Sequence, residues 1–365
     1  MKKYTTSKNR IFGLDIIRAT AILIVVIVHG SFFLKNSFLE EFPYFPMIDG
    51  VELFFVLSGF LIGGILLREI NSSEDFKIIQ LFQFWKRRWF RTLPAYYLIL
   101  LTNYIFVRYE IINEDITQFN YSFFVFTQNF ISPFYGFFWE SWSLSIEEWF
   151  YIITPIFLFL FLKLFSPKLT FLLTTLIMII FPVFYRFYNY DASIDFFLWD
   201  ITFRKTVMCR LDSIGYGLFA AWGFYYYRDF WRKIWAPSLL VGCILMIFVI
   251  NFQMDTGTIY KQVVYFSLVS ISIMLFLPAA ARFRSANGFF PYIVEYISKI
   301  SYSMYLINLG LVASVIRDNF APSNNIEALL IYCLYWIIVI GSSSFLYKYF
   351  EKPVMDLRDK KIKIF

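Results

Sequence analysis

The sequence predicts an all-α polytopic membrane protein, a bundle of about ten transmembrane helices with both termini in the cytoplasm. Three observations carry this prediction. First, of 365 residues 59% are hydrophobic and only 16% are charged, against about 25% charged in a typical soluble domain, and the mean hydropathy is +0.62. Second, apolar runs of about 20 residues, the length that crosses hydrocarbon, recur along the whole chain. Third, the basic residues gather in alternate connections between those runs. The composition excludes a soluble globule, a disordered chain and a collagenous fibre. The run lengths exclude the short alternating strands of a β-barrel.

In order, the runs fall at about 13–34, 48–67, 94–109, 146–165, 168–187, 207–227, 235–252, 262–281, 298–316 and 327–349. With the N-terminus in the cytoplasm, inner segments hold 24 of the 33 Lys and Arg: four at 1–12, six at 68–93, two at 163–168, three at 228–234, three at 282–299 and six at 348–365. Outer segments hold seven, namely Lys35, Arg108, Arg186, Arg204, Lys205, Lys261 and Arg317, while Arg18 and Arg210 lie within runs. The net charge of +7 thereby reads as topology rather than as nucleic-acid binding. An aromatic stretch at 119–133 is read as re-entrant or otherwise non-crossing, because a crossing there places every later basic cluster outside.

The first run holds Asp15, Arg18 and His29 and lacks a small-residue cleavage site, so it reads as a span and not a signal peptide. The inner segment 68–93 interleaves Ile78, Ile79, Leu81, Phe82, Phe84, Trp85, Trp89 and Phe90 with Lys77, Lys86, Arg87, Arg88 and Arg91. That pattern predicts an interfacial amphipathic helix. No soluble domain, long linker or repeat interrupts the chain, which reads as one membrane domain over 1–365.

Ionisable residues inside spans are costly and point to function. Arg18 and His29 are eleven positions apart, so they share a helix face with a rise of about 16 Å between them. Acids stand at the outer ends of other spans: Asp49 and Glu52, Glu147 and Glu148, with Arg210 and Asp212 near the start of the sixth. His29 is the one histidine, and a histidine oriented by a carboxylate is a general base. Each feature has a plainer alternative: His29 as a packing residue, Asp15 and Arg18 neutralising each other, the run 86–91 binding anionic lipid, Glu147 and Glu148 solvated at a span end. Cys209, Cys243 and Cys333 sit in apolar runs as core filler. Asn120-Tyr121-Ser122 matches the glycosylation sequon, a common chance tripeptide. No Gly-rich phosphate loop, metal-spaced Cys/His set or serine triad is visible, so neither a metal nor a tightly bound cofactor is expected.

Several blocks, weak singly, are specific as an ordered set. They are Gly13-Leu14-Asp15-Ile16-Ile17-Arg18-Ala19 leading to His29; Gly50 to Ile62, including Glu52 and Ser58; Phe84-Trp85-Lys86-Arg87-Arg88-Trp89-Phe90-Arg91-Thr92-Leu93-Pro94; Trp142-Ser143-Leu144-Ser145-Ile146-Glu147-Glu148-Trp149; Arg210-Leu211-Asp212; Ile300 to Leu306, including Tyr305; and Phe350-Glu351-Lys352-Pro353. Over about residues 10–355 the chain resembles the acyltransferase 3 family of integral-membrane carbohydrate O-acyltransferases. It departs at one position: where many relatives have His after Tyr-Leu-Ile, it has Asn308. It also carries no appended SGNH-type domain, so the membrane domain itself is expected to reach the acceptor.

The resemblance implies transfer of an acyl group, most often acetyl from acetyl-CoA as co-substrate, to a carbohydrate hydroxyl outside the cytoplasm, from the inner (cytoplasmic) membrane. It leaves O-antigen, peptidoglycan, capsule and other glycans, lipid-linked or free, as acceptors. His29 is then the base or a transient acyl carrier, with Glu147 its preferred partner and Asp15 in support. Arg18, Arg87, Arg88 and Arg91 are expected on the CoA side. Glu52, Ser58, Trp142, Glu148, Arg210, Asp212, Tyr305 and Asn308 are expected to bind the acceptor or support the site, with Trp139, Trp142 and Trp149 stacking on sugar rings. The rival expectation is a transporter or flippase for a polar or lipid-linked solute. Neither reading calls for nucleic acid.

Overall fold

In hydrocarbon a backbone amide finds no water, so long apolar runs close their own hydrogen-bond ladders as helices. The computed structural model describes residues 11–35, 38, 49–72, 76–320 and 322–359. Ten principal helices follow one another among them: α1 (Phe12–Gly30), α2 (Gly50–Ser72), α3 (Ile78–Arg108), α4 (Ser141–Phe161), α5 (Pro167–Tyr188), α6 (Leu211–Tyr226), α7 (Trp235–Asn251), α8 (Tyr265–Ala280), α9 (Phe289–Ile307) and α10 (Asn325–Leu346). Among the described residues no strand occurs, and seven helical stretches are long and apolar enough to cross a membrane. The chain is a polytopic helical membrane bundle. The other three helices fall short of that measure for different reasons. α6 and α7 have 16 and 17 residues, and α3 carries the basic block.

Local signals set several boundaries. Ser166 precedes Pro167 at the first position of α5, where a missing amide costs nothing. The Asn324 side chain accepts from the amides of Ile326 and Glu327 and caps α10. The structure moves other predicted boundaries. The inner segment 68–93 does not hold a separate interfacial helix. Its basic block is the first half of α3, a single 31-residue helix that continues through Pro94 into the apolar run. α4 starts at Ser141, so Glu147 and Glu148 stand in its second turn and not at a solvated end. The polar residues Ser141, Ser143 and Ser145 face the bundle interior, which is why hydropathy alone placed the start too late. Arg186, counted as an outer-loop residue, is buried inside α5. Stretch 119–133 forms short turns and no long helix, and its rings pack on α3 and α4: Phe126 lies 4.6 Å from Tyr96, and Phe130 lies 4.3 Å from Trp149. The expected cytoplasmic N-terminal basics at 2–10 and the last of the C-terminal ones at 360–363 lie outside the described residues.

The centre of the bundle is α2 against α6. A Cβ added at Gly59 would sit 2.0 Å from the Ile214 carbonyl oxygen, and one at Gly217 would sit 2.1 Å from that of Val56. Only glycine allows this backbone approach, the small-residue packing that joins membrane helices. α1 packs between α2 and α9, which brings the C-terminal end of α1 beside the turn that follows α9.

Two buried ion pairs tie this core together. Arg186 Nη2 donates to Asp212 Oδ2 at 2.8 Å, both side chains 0% exposed, and also reaches the carbonyl of Val263 and the hydroxyl of Ser267. Arg210 pairs with Glu52, and Ser213 Oγ donates to the same carboxylate at 3.2 Å. The Arg210 guanidinium also lies 4.0 Å from the Phe266 ring. Arg210 and Asp212 therefore brace helices, and neither lines a cavity that contains His29.

Candidate functional site

Two cavities lie on opposite sides of a shared wall. The first, about 290 Å³, is lined by residues of α1, α2, α3, α4 and α9. Four arginines enter it: Arg18, Arg68, Arg88 and Arg91. Arg18 Nη1 lies 3.5 Å from Asp15 Oδ1 and 3.4 Å from Ser298 Oγ, and Ser298 donates to Asp15 at 2.7 Å. Asp15 thus anchors Arg18 and lines neither cavity. Deeper in the same cavity Ser58 Oγ donates to Glu147 Oε1 at 2.6 Å, and Tyr151 OH donates to Glu147 Oε2 at 3.3 Å.

The second cavity, about 380 Å³, is where His29 stands, with Asp49, Trp139, Glu140, Trp142, Arg204, Lys205, Tyr265 and Tyr305 around it. Val51 and Tyr305 line both cavities. The Tyr305 hydroxyl is held at that wall by Ser143 Oγ at 2.6 Å and the Glu140 carbonyl at 3.2 Å.

His29 Nδ1 lies 2.5 Å from Asn308 Oδ1. The amide nitrogen of Asn308 is already engaged, donating to the carbonyls of Met304 at 2.9 Å and Tyr305 at 2.8 Å. Its oxygen must therefore face His29, and an oxygen only accepts. Nδ1 then carries the proton, and Nε2 is left with its lone pair. Asn308 opens a π-helical turn, Asn308–Ala313, of the kind that often marks functional positions. In the same turn Gly310 N donates to Glu140 Oε1 at 2.5 Å. A Cβ at Gly310 would lie 3.3 Å from that oxygen and 3.2 Å from Asn103 Oδ1, so glycine makes room for the carboxyl.

Glu140 was not singled out from sequence. It is 1% exposed, and Oε2 has no partner among the described residues. Burial pushes its carboxyl up to about 8, and nearby Glu114 adds to the effect. The chain delivers Trp139 and Glu140 to the cavity through Phe138, whose φ of +47° is uncommon for a bulky side chain. Phe138 N donates to Glu114 Oε2 at 3.0 Å, which helps hold the turn.

An ion network lies along one side of this cavity. Arg204 Nε donates to Asp49 Oδ2 at 3.0 Å and Nη1 to Asp200 Oδ1 at 2.7 Å, while Lys205 Nζ donates to Asp200 Oδ2 at 2.5 Å. Burial raises the Asp49 carboxyl, but the charge and hydrogen bond of Arg204, the Val51 amide and the charge of Arg210 together leave the group below its ordinary range. Asp49 Oδ1 also accepts from Val51 N at 2.9 Å at the start of α2. Arg204 sits 5.2 Å from the Trp142 ring, and Lys205 sits 4.5 Å from the Trp139 ring.

The predicted residues sort accordingly. His29, Asn308, Tyr305 and Trp142 come together, and Arg18, Arg88, Arg91, Ser58 and Glu147 gather across the wall. Several expectations need correcting. Glu147 does not orient His29, because it turns into the arginine cavity, and Asn308 takes the place beside the imidazole. Arg87 lies outside that cavity and pairs with Glu69 at 3.2 Å, whereas Arg68 enters it. Glu148 accepts from Thr92 Oγ1 at 2.7 Å between α4 and α3 and lines neither cavity. Glu52, Arg210 and Asp212 are spent in the buried ion pairs. Trp149 donates to the Phe126 carbonyl at 2.8 Å and holds the 119–133 stretch. Cys209 is a buried free cysteine among Trp199, Phe203 and Phe266, which fits a core residue. Among the described residues no group of three or more His, Cys, Asp or Glu is arranged to hold a metal.

Known proteins bear on this arrangement. Peptidoglycan O-acetyltransferase OatA of Listeria monocytogenes is 37% identical over 185 residues, 46% of this chain and 28% of OatA. A protein of Staphylococcus aureus (strain COL) named as an O-acetyltransferase is 30% identical over 335 residues, 83% of this chain and 51% of that protein. The chain thus spans about half or less of the length of these relatives. No solved structure matches. The acyltransferase domain family matches residues 11–348, nearly the whole chain, and both cavities lie inside that match. The chain belongs to the acyltransferase 3 family.

Proposed function

We propose that the protein transfers an acetyl group from cytoplasmic acetyl-CoA to a hydroxyl of a carbohydrate on the outer side of the cytoplasmic membrane. Peptidoglycan is the acceptor that the name of the Listeria relative suggests, with O-antigen, capsule and other glycans of the same chemistry open to it. One observation carries the reading. A cavity with four arginines and a cavity with an oriented histidine share a wall at Val51 and Tyr305.

The arginine cavity takes the donor. Guanidinium groups bind phosphate through planar paired donors, and Arg68, Arg88 and Arg91 offer them at one end of the bundle. The thioester end then reaches toward the shared wall. On the other side the acceptor hydroxyl approaches His29 Nε2, the ring nitrogen that Asn308 leaves free. Nε2 removes the hydroxyl proton as the oxygen attacks the thioester carbonyl carbon. The C–S bond breaks, the ester remains on the sugar, and the CoA sulfur takes the proton back from the imidazolium. The neutral Glu140 carboxyl, whose Oε2 has no partner among the described residues, supplies a hydrogen bond to the developing oxyanion or the acceptor.

Mass spectrometry of surface glycans tests this. Cells expressing wild-type protein gain acetyl esters over cells lacking the gene, and cells expressing H29A do not. Full acetylation by a well-expressed H29A sinks the proposal and leaves a transport role.

A further inference from the structure

Two more cavities open beyond the His29 cavity on the same side of the bundle. One, about 350 Å³, shares Asp49, Arg204 and Tyr265 with the His29 cavity and adds Phe196, Gln253 and Lys261. The next, about 580 Å³ and more open, shares Phe196, Gln253 and Lys261 with that one. The three cavities therefore lie side by side, with Asp49, Arg204 and Tyr265 at one junction and Phe196, Gln253 and Lys261 at the other.

Lys261 is the unusual member of this path. It is 8% exposed, and its Nζ donates to Gln253 Oε1 at 3.0 Å. The ammonium lies 4.0 Å from the Tyr265 ring and 5.0 Å from the Trp199 ring. Among the described residues it has no carboxylate partner. Three of the carboxylates along the path are already taken, Asp49 by Arg204, Asp200 by Arg204 and Lys205, and Glu52 by Arg210, while Asp255 stands exposed on the outermost cavity and forms no ion pair with Lys261. Burying an ammonium costs free energy unless an anion answers it. The three cavities are lined by Asp49, Glu52, Glu140, Asp200 and Asp255 and by Arg204, Lys205 and Lys261, and among the described residues Lys261 is the one of these cations that forms no ion pair. Lys261 faces both outer cavities. Phe196, 68% exposed at the junction, offers an apolar face of the kind that covers a sugar ring.

We infer that the cavity at Lys261 is a second acceptor subsite, which binds a carboxylate-bearing sugar unit next to the unit acylated at His29. The inference rests on the His29 cavity being the acceptor site. It makes the substrate an acidic glycan of at least two units, with Lys261 and Gln253 on the carboxylate and Phe196 against the ring.

The test uses the purified full chain in detergent and isothermal titration with two probes, a uronic-acid disaccharide and the same disaccharide with its carboxyl reduced to the alcohol. Wild type binds the acid form about tenfold more tightly, as one charge-assisted hydrogen bond implies. K261M loses that preference and K261R keeps it. H29A also keeps it, because His29 lies outside this cavity. Equal affinity for the two probes, absence of binding by the acid form, or a preference that survives K261M overturns the inference. The wild-type comparison decides even where K261M does not fold. Acid-selective binding by a protein that transfers no acetyl group keeps the subsite and removes the acyl-transfer reading.

Discussion

Asn308 Oδ1 lies 2.5 Å from His29 Nδ1, and the Asn308 amide nitrogen is tied to two backbone carbonyls of its own helix. A neutral amide thus occupies the place where a carboxylate was expected from the sequence. It fixes the imidazole tautomer without adding charge. We predict that Asn308→Ala lowers kcat about 10- to 100-fold, the usual cost of losing an orienting partner. KM for acetyl-CoA stays unchanged, since Asn308 does not line the arginine cavity. Asn308→Asp keeps an acceptor oxygen and retains more of the rate than the alanine variant. Steady-state kinetics with varied acetyl-CoA reads both outcomes.

The donor side gives a contrast between neighbours. Arg88 enters the cavity, whereas Arg87 points away to Glu69. Arg88→Ala should raise KM for acetyl-CoA about tenfold, the scale of one charge-assisted phosphate contact. Arg68→Ala should do likewise, and Arg87→Ala should leave KM in place. Equal effects at 87 and 88 would favour lipid binding by the whole basic block.

Arg186 and Asp212 are paired with no exposure to solvent. Removing one partner strands the other charge, a loss of about 3–5 kcal/mol. Asp212→Ala should therefore lower the thermal unfolding midpoint in detergent sharply, and any folded fraction should keep the wild-type KM for acceptor. A large KM change with normal stability would return Asp212 to the acceptor site.

Glu140 predicts a pH dependence of stability. Its carboxyl is raised to about 8, so the folded state prefers the protonated form. The unfolded chain ionises in the ordinary carboxylate range. Stability is therefore highest below that range and falls as pH rises toward about 8, with no further loss above it. Glu140→Gln, neutral throughout, should flatten this part of the curve in melting experiments run from mildly acid to mildly alkaline buffer.

Much of the fold was legible because hydropathy reports span length directly, and α1, α5 and α7 lie within a residue or two of their predicted starts. The misplaced start of α4 has a physical cause: Ser141, Ser143 and Ser145 face the interior, where polarity is compatible with a span. The site was half legible. His29 stood out as the single histidine in a span, and Arg88 and Arg91 stood out as cations in an aromatic frame. Partners across the bundle were not legible, because they depend on which helices touch. Glu147 was the plausible orienter by depth, yet the packing of α1 against α9 set Asn308 there instead. Glu140 gave no signal, since a lone glutamate in an aromatic loop reads as solvated. Only the turn at Phe138 and the space at Gly310 bury it.

The central claim is that His29, oriented by Asn308, takes the proton from the acceptor in a cavity separate from the donor. The most direct measurement uses purified protein in proteoliposomes, with radiolabelled acetyl-CoA and a glycan acceptor on opposite sides. Labelled ester should appear on the glycan with wild type and fall to background with H29A, while H29A still binds acetyl-CoA with wild-type affinity. Labelling that survives in H29A, or loss of acetyl-CoA binding together with transfer, would contradict the account.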